Sequence, residues 1–452
     1  MKVLLINPPR HASITDTIEN LGLGYIASGL RRAGHEVTLL DASIENLSID
    51  AVVERALEGK PGLIGISILF QLLAEIPLNL TRSLKRSLKQ AGLDVHITTG
   101  GHFPTFAFQE ILNGDYGVDS VVRGEGDVTI IELARALEEG RSLETVSGLA
   151  YREGEEIVPT APRELVPELD SLQLPARDWL AAVLRRGGKA CISTSRGCYG
   201  NCSFCSIRAF YGLSPGRVWR ARSPEGVLEE MMMLARDFGV DDMWVVDDTF
   251  IGPGRLGRER AARIAELLIR ENARGPGGKP GIALRISCRA DEVDRELFAL
   301  LKRAGVKEVF LGIESGVQRA LDIFNKGTTV EQNERAIRTL RDLDVDFSLG
   351  FILLHPYTTF EELSENLSFL RRVGYPLSRV PISPTDYLPR LQVLVGTPIA
   401  ERLRQEGRLG GSLFDYAYEF DDPRVRVYYK TGAFLRRRIL PLQRAVRRLV
   451  RR

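Results

Sequence analysis

Three cysteines in a Cys-x3-Cys-x2-Cys run, Cys198, Cys202 and Cys205, stand among glycines just after an apolar stretch. Three thiolates with no fourth nearby make a poor structural zinc site, which closes its tetrahedron with four protein ligands. They suit a cubane iron–sulfur cluster, where three cysteines leave one iron open to a substrate or cofactor. The plainer alternatives are small buried hydrophobes, or a zinc knuckle completed by a distant residue. Cys191 lies seven residues upstream on the apolar stretch and Cys288 is far away; both read as core residues.

The run Arg196-Gly197-Cys198-Tyr199-Gly200-Asn201-Cys202-Ser203-Phe204-Cys205-Ser206 resembles the signature loop of the radical S-adenosylmethionine (AdoMet) enzymes, including the aromatic Phe204 before the last cysteine. The resemblance implies a 4Fe-4S cluster on Cys198, Cys202 and Cys205. Its free iron would chelate AdoMet and, once reduced, cleave it to a 5′-deoxyadenosyl radical. AdoMet contacts are then expected at the ends of the following strands. Asp247-Asp248-Thr249-Phe250 is similar to the acidic turn that takes the AdoMet amino group, though an Asp pair also caps helices. Ser287-Cys288-Arg289-Ala290-Asp291 resembles the strand that holds ribose and carboxylate; Arg289 is either a carboxylate clamp or the partner of a structural acid. In Leu311-Gly312-Ile313-Glu314-Ser315-Gly316 the glycines let backbone approach a flat adenine, and Glu314 orients polar groups. His355 stands before Pro356 where relatives often carry glycine, so it is a candidate substrate contact or general acid–base group, or a histidine satisfied at a helix entrance.

The residues ahead of this loop resemble the cobalamin-binding domains that precede many radical AdoMet barrels. The matching positions are Asn7-Pro8-Pro9, the helical stretch Leu21 to Ala33, Asp41, Ser67-Ile68-Leu69, Gly100-Gly101-His102 and Arg123-Gly124-Glu125-Gly126-Asp127. By that resemblance Asn7, Pro8, Pro9, Ser67, Leu69, Gly100, Gly101, His102, Gly124 and Glu125 bind cobalamin. The Asp-x-His-x-x-Gly loop that elsewhere supplies a histidine to cobalt is missing. Either the lower cobalt face lacks a histidine ligand, or the domain is a Rossmann-like adaptor without cofactor.

The elements that must position these groups follow from periodicity. Candidate strands Val3 to Ile6, Glu36 to Leu40, Leu63 to Ser67, Val95 to Thr99 and Ser120 to Val122 alternate with amphipathic stretches, which predicts a five-stranded doubly wound sheet over 1–145. Ligands of such sheets bind beyond the carboxyl ends of the strands. Residues 146–185, polar and proline-bearing from about Tyr151, read as a wrapping linker. From 186 to 395, strands at Ala190 to Thr194, Met243 to Val246, Ala283 to Cys288, Val309 to Ile313, Asp346 to Leu353 and Val380 to Ser383 predict a partial (β/α)6 TIM barrel, with the cysteine loop after its first strand. Ser223-Pro224-Glu225, Thr329 with Gln332 and Thr359 with Glu362 mark helix starts. Residues 396–452 form a C-terminal extension whose last stretch, Leu435 to Arg452, carries eight arginines among aliphatic residues, the pattern of a basic amphipathic helix.

At 452 residues the chain has room for two or three domains, and its 61 basic against 59 acidic residues show no preference for nucleic acid. Five cysteines, three of them clustered, suit a reducing cytosol, and Met1 to Pro9 is too short for a signal peptide or a span. A cytoplasmic α/β enzyme is expected, peripheral to membrane at most through its C-terminal stretch. The resemblance implies a cobalamin-dependent radical AdoMet methyltransferase that modifies an unactivated carbon, or phosphorus, of a small molecule or lipid, with an external electron donor such as flavodoxin or ferredoxin. A cyclase, rearrangement or oxidation enzyme with the same cofactors is the second reading. Methylthiolation is disfavoured because residues 1–190 hold no cysteine, and the cluster loop argues against a non-enzymatic cobalamin carrier or sensor.

Overall fold

The computed structural model describes residues 1–9, 18–274, 281–382, 386 and 388–434. Leu435 to Arg452 lie outside the described residues, so the basic C-terminal stretch is not placed. Among the described residues no helix is long and apolar enough to cross a membrane.

The first half is a seven-stranded sheet: β1 (Lys2–Asn7), β2 (Glu36–Asp41), β3 (Leu63–Ser67), β4 (His96–Gly100), β5 (Ser120–Val122), β6 (Leu149–Glu153) and β7 (Glu156–Pro159). They lie in the order β2-β1-β3-β4-β5-β6-β7. The first five are parallel, as expected. β1 and β3 are buried almost throughout, which is what helices on both faces of a parallel sheet require. The last two strands correct the five-strand expectation: β6 and β7 form an antiparallel hairpin on the edge of β5, inside the stretch read as linker. Leu149-Ala150-Tyr151 and Ile157-Val158 flank a turn at Gly154, a hairpin pattern that the surrounding charges obscure. The rest of that stretch does wrap: Arg31 grips Asp178 at 2.6 and 2.9 Å, and the Trp179 indole donates to the Leu39 carbonyl at 3.1 Å.

The second half is built on β8 (Ala190–Ile192), β9 (Ser195–Arg196), β10 (Arg220–Ala221), β11 (Asp242–Val245), β12 (Ala283–Arg289), β13 (Val306–Glu314) and β14 (Asp346–Phe351). Five of them form one parallel sheet in the order β14-β13-β12-β11-β8, while β9 and β10 pair separately as an antiparallel ribbon. Val380 closes a 3-10 turn and Pro381 and Ile382 form no strand, so the expected sixth strand does not start there; Ser383 lies outside the described residues. The sixth barrel position is taken later, by a single parallel bridge of Leu354 to Arg390. Along β12, Leu284, Ile286 and Cys288 enter the helix-covered core with Phe298 and Leu301, so the alternate residues Arg285, Ser287 and Arg289 turn to the concave face. Helix starts follow local chemistry: the Ser223 side chain caps the helix Pro224–Phe238, and Thr329–Gln332 and Thr359–Glu362 both close as capping boxes.

Candidate functional site

The carboxyl ends of the two sheets face each other across a cavity of about 400 Å³. From the first half it is lined by Ser67, Leu69, Thr99, Gly100, Gly101, His102, Gly124 and Glu125, and from the second by Ser193, Ser195, Arg196, Phe210, Tyr211, Val246 and Asp248. The turns expected to bind cobalamin are therefore brought together with the root of the cysteine loop. Gly101 has φ +113°, and a Cβ there would lie 2.6 Å from the Ile68 carbonyl oxygen, so only glycine lets the two turns approach. The Thr99 hydroxyl in the cavity wall is buried without a hydrogen-bond partner. His102 stacks face to face on Phe210, centroids 4.1 Å apart and planes 11° apart. Burial pushes its pKa down to about 4, so the ring is neutral at pH 7.

Not every expected residue reaches the cavity. Asn7 donates to Asp41 at 2.9 Å and accepts from Asn20 at 3.2 Å, beside a smaller hollow, and neither Pro8 nor Pro9 lines the large one. Glu125 lines it, but its carboxylate is held by Arg220 at 2.8 and 3.0 Å, by Arg196 at 3.2 Å and by the Val166 amide at 3.0 Å.

On the barrel side Asp247 and Asp248 divide their roles. Asp247 is buried and accepts from the Thr194 amide at 2.7 Å, the Thr194 hydroxyl, and the Ser195 hydroxyl at 2.8 Å, which leaves it structural. Asp248 turns to the cavity and, among the described residues, accepts the Gly197 amide alone, at 3.1 Å. Its exposure is to this cleft between the sheets, where burial, followed by repulsion from Asp247, pushes its pKa up to about 7.

The three loop cysteines are free thiols, Cys202 buried and Cys198 and Cys205 half-buried. Burial raises the pKa of Cys198 and pushes that of Cys205 up to about 12. Among the described residues no three His, Cys, Asp or Glu side chains converge tightly enough to chelate one ion. The loop is anchored by the Ser203 amide on the Phe324 carbonyl at 2.7 Å, and Phe204 packs edge-on against Phe324 at 5.2 Å.

Behind the loop lies a buried charged group. Arg289 holds Asp291 with two nitrogens, at 2.9 and 3.1 Å, donates to the Lys326 carbonyl at 2.7 Å, and turns its last nitrogen to the Cys202 sulfur at 3.9 Å. Of the two readings of this arginine, the structural acid is present in Asp291, while the last nitrogen is turned to the cysteine loop. Glu314, at φ +62°, pairs with Lys326 at 2.8 Å. Burial works against the Lys326 charge, but the Glu314 carboxylate outweighs it and holds the pKa above the ordinary lysine range. A Cβ on Gly312 would lie 2.9 Å from the Lys326 amine, so that glycine makes room for the pair. Lys326 was not expected from the sequence; its only signal is the Asn325-Lys326-Gly327 turn behind a short helix. Ser287 stands on the same concave face of β12, its carbonyl accepting the Phe250 amide at 2.9 Å. His355 is elsewhere: it is 1% exposed, packed edge-on against Phe324 at 5.0 Å, outside the cavity lining, and its Nδ1 has no partner. Cys191 and Cys288 are buried core residues, as expected.

Comparison with known proteins accounts for this layout. Residues 192–370 match the Radical SAM superfamily and residues 10–134 the B12 binding domain. An uncharacterised methyltransferase of Pyrococcus horikoshii is 28% identical over 390 residues, 85% of this chain and 80% of the relative. The anaerobic magnesium-protoporphyrin IX monomethyl ester cyclase of Synechocystis is 33% identical over 359 residues, 76% of this chain and 67% of the relative. Among solved structures, the cobalamin-dependent S-adenosylmethionine radical enzyme OxsB with aqua-cobalamin and S-adenosylmethionine bound has the same fold, with a TM-score of 0.79 at 23% identity over 93% of this chain. This chain spans 64% of that one. With both sheets matched in the order in which they meet at the cavity, the chain belongs to the radical SAM superfamily, in the group whose barrel follows a B12-binding domain.

Proposed function

We propose that this protein is a methyltransferase that modifies an unactivated carbon, or phosphorus, of a small molecule or lipid. A 4Fe-4S cluster, AdoMet and cobalamin are the cofactors its two domains imply, and when bound they supply one-electron cleavage of AdoMet and a transferable methyl group. The observation that carries the reading is the one cavity lined by both strand mouths, which lets two cofactors face one substrate.

The chain's own residues have distinct tasks in this reading. Cys198, Cys202 and Cys205 hold the cluster. Asp248, which turns to the cavity with one oxygen on the Gly197 amide, orients the AdoMet amino group. The Arg289 nitrogen turned to the cysteine loop and the Glu314–Lys326 pair offer charge of both signs to its carboxylate and ribose, with Ser287, Gly312 and Phe204 as further contacts. Ser67, Gly100, Gly101 and Gly124 form a close backbone cradle for the corrin side, and the stacked, neutral His102 closes it.

Measurement of products tests the reading. Turnover of a methyltransferase releases S-adenosylhomocysteine and 5′-deoxyadenosine together with one methylated product, because AdoMet serves as both methyl and radical source. A cyclase, the reading favoured by the 33% identity to a cyclase, forms product with 5′-deoxyadenosine alone. Electrons come from an external donor such as flavodoxin or ferredoxin. A lipid substrate would agree with the exposed Val427 and Phe434 on the helical residues 423–434, just ahead of the arginine-rich end. Co-sedimentation with anionic vesicles, full-length protein against a truncation after Leu435, tests that contact; equal recovery of both in the supernatant removes it.

A further inference from the structure

The two sheets are joined across the cavity by a pair of arginine forks. Arg196 and Arg220 are cross-strand partners in the β9–β10 ribbon, an arrangement that like charges disfavour unless each is neutralised. Each meets a carboxylate at the start of the helix Gly126–Glu139 of the B12-binding half. Arg196 holds Asp127 with two hydrogen bonds, at 2.7 and 3.0 Å, and Arg220 holds Glu125 in the same way, at 2.8 and 3.0 Å. The side chains are 3–15% exposed, so water does little to screen them. Burial opposes the Asp127 charge, yet Arg196 outweighs it and keeps the carboxyl below its ordinary range. The guanidinium of Arg196 also lies over the Tyr25 ring at 5.0 Å, which fixes its plane.

The chain after Arg196 is tied down at its next residue. Gly197 follows at φ +83° with its amide on Asp248, and Cys198 comes next. A displacement of the Gly126–Glu139 helix is thus transmitted through two parallel hydrogen bonds and the two peptide units that flank Gly197 to the first cysteine. A bidentate fork resists shear as well as separation, which a single hydrogen bond does not.

We propose that Arg196 and Asp127, backed by Arg220 and Glu125, are positioning residues that set the separation between the B12-binding domain and the cysteine loop. This rests on the two-cofactor reading above. Without this pair bound cobalamin would keep the strand-end turns and the cluster its three cysteines, but their distance would be less well defined. Coupling between AdoMet cleavage and product formation would suffer more than cleavage, since misplacement of about 1 Å costs roughly 100-fold in a reaction step.

The test uses the full chain loaded with cluster and cobalamin, comparing wild type with Asp127→Asn and Asp127→Glu. The expected results are a fall of about 10-fold or more in methylated product per 5′-deoxyadenosine for Asn, recovery to within about threefold for Glu, and altered magnetic interaction between reduced cluster and cob(II)alamin in pulsed electron paramagnetic resonance. In the cofactor-free protein, amide exchange over 194–198 should quicken in the Asn variant. Glu125→Gln serves if Asp127→Asn fails to fold. Wild-type coupling and magnetic interaction in the Asn variant would overturn the proposal, as would loss of cofactor uptake as its main defect. If the wild type itself forms no methylated product, the methyltransferase reading fails, while the magnetic and exchange measurements still decide the role of the pair.

Discussion

Arg289 brings one guanidinium nitrogen to 3.9 Å from the Cys202 sulfur while its other edge is fixed on Asp291 at 2.9 and 3.1 Å. The acid sets the plane of the guanidinium, and the plane decides which corner meets the cluster loop.

Arg289→Lys is therefore expected to keep the charge and lose the geometry. A lysine amine cannot hold both Asp291 oxygens and present another donor along a fixed direction. AdoMet cleavage should fall by about 10-fold, or about 1.4 kcal/mol, chiefly through a raised KM for AdoMet, with bound iron unchanged. Kinetics on reconstituted protein together with iron analysis check this.

The cysteines divide into two groups. Alanine at Cys198, Cys202 or Cys205 should abolish cluster binding and reductive AdoMet cleavage. Cys191→Ala should leave both intact and cost about 1 kcal/mol of stability, since Cys191 is 1% exposed among Leu21 and Tyr25. Iron content, visible absorption and 5′-deoxyadenosine yield read the difference; cleavage by the triple alanine variant would refute the assignment.

Gly197→Ala tests the backbone. The residue has φ +83°, and an added Cβ would lie 2.0 Å from the Val218 carbonyl oxygen. The unfavourable backbone region alone costs about 1–3 kcal/mol, and relief of the clash must move Cys198 or the β9–β10 ribbon. Lower thermal stability with impaired cluster incorporation is the expected outcome.

His355 predicts a pH dependence. Burial pushes its pKa down to about 3, and its Nδ1 is buried without a partner. In the unfolded chain it titrates near 6.5. Below that value the unfolded state binds a proton that the folded state refuses, so stability drops as pH falls from about 6.5 towards 3, by up to about 1.4 kcal/mol per unit. His355→Leu should flatten this slope and raise stability at neutral pH by about 1 kcal/mol, the cost of an unpaired buried polar atom being roughly 1–3 kcal/mol. Denaturant titrations at several pH values read both effects; loss of turnover in a well-folded Leu variant would restore the acid–base role expected from the sequence.

Bound cob(II)alamin should show no nitrogen splitting from a protein histidine. The histidine loop is missing from the sequence, and His102 in the cavity wall stacks on Phe210, so its nitrogens lie along the stacked plane. Identical electron paramagnetic resonance spectra for wild type and His102→Ala are expected; splitting lost on substitution would make His102 a ligand.

The cysteine spacing, the apolar runs of β1, β3 and β12, and the cap pairs Thr329–Gln332 and Thr359–Glu362 were legible because each is local: a few neighbouring residues settle the outcome through thiolate chemistry, burial on both faces, or one hydrogen-bond exchange. The β6–β7 hairpin was hidden because its short apolar runs are broken by charged residues that an edge strand tolerates. The sixth barrel position was misassigned because a lone bridge needs no periodic pattern. Sequence alone determined which cofactor chemistry the chain can hold. Tertiary structure decided where the acids stand: Asp248 and not its neighbour Asp247 faces the cavity, Glu125 and Asp127 meet Arg220 and Arg196 from 95 and 69 residues away, and Lys326 reaches Glu314. A carboxylate's role depends on the charge and burial around it, and these are set by segments distant in the chain that only folding brings into contact.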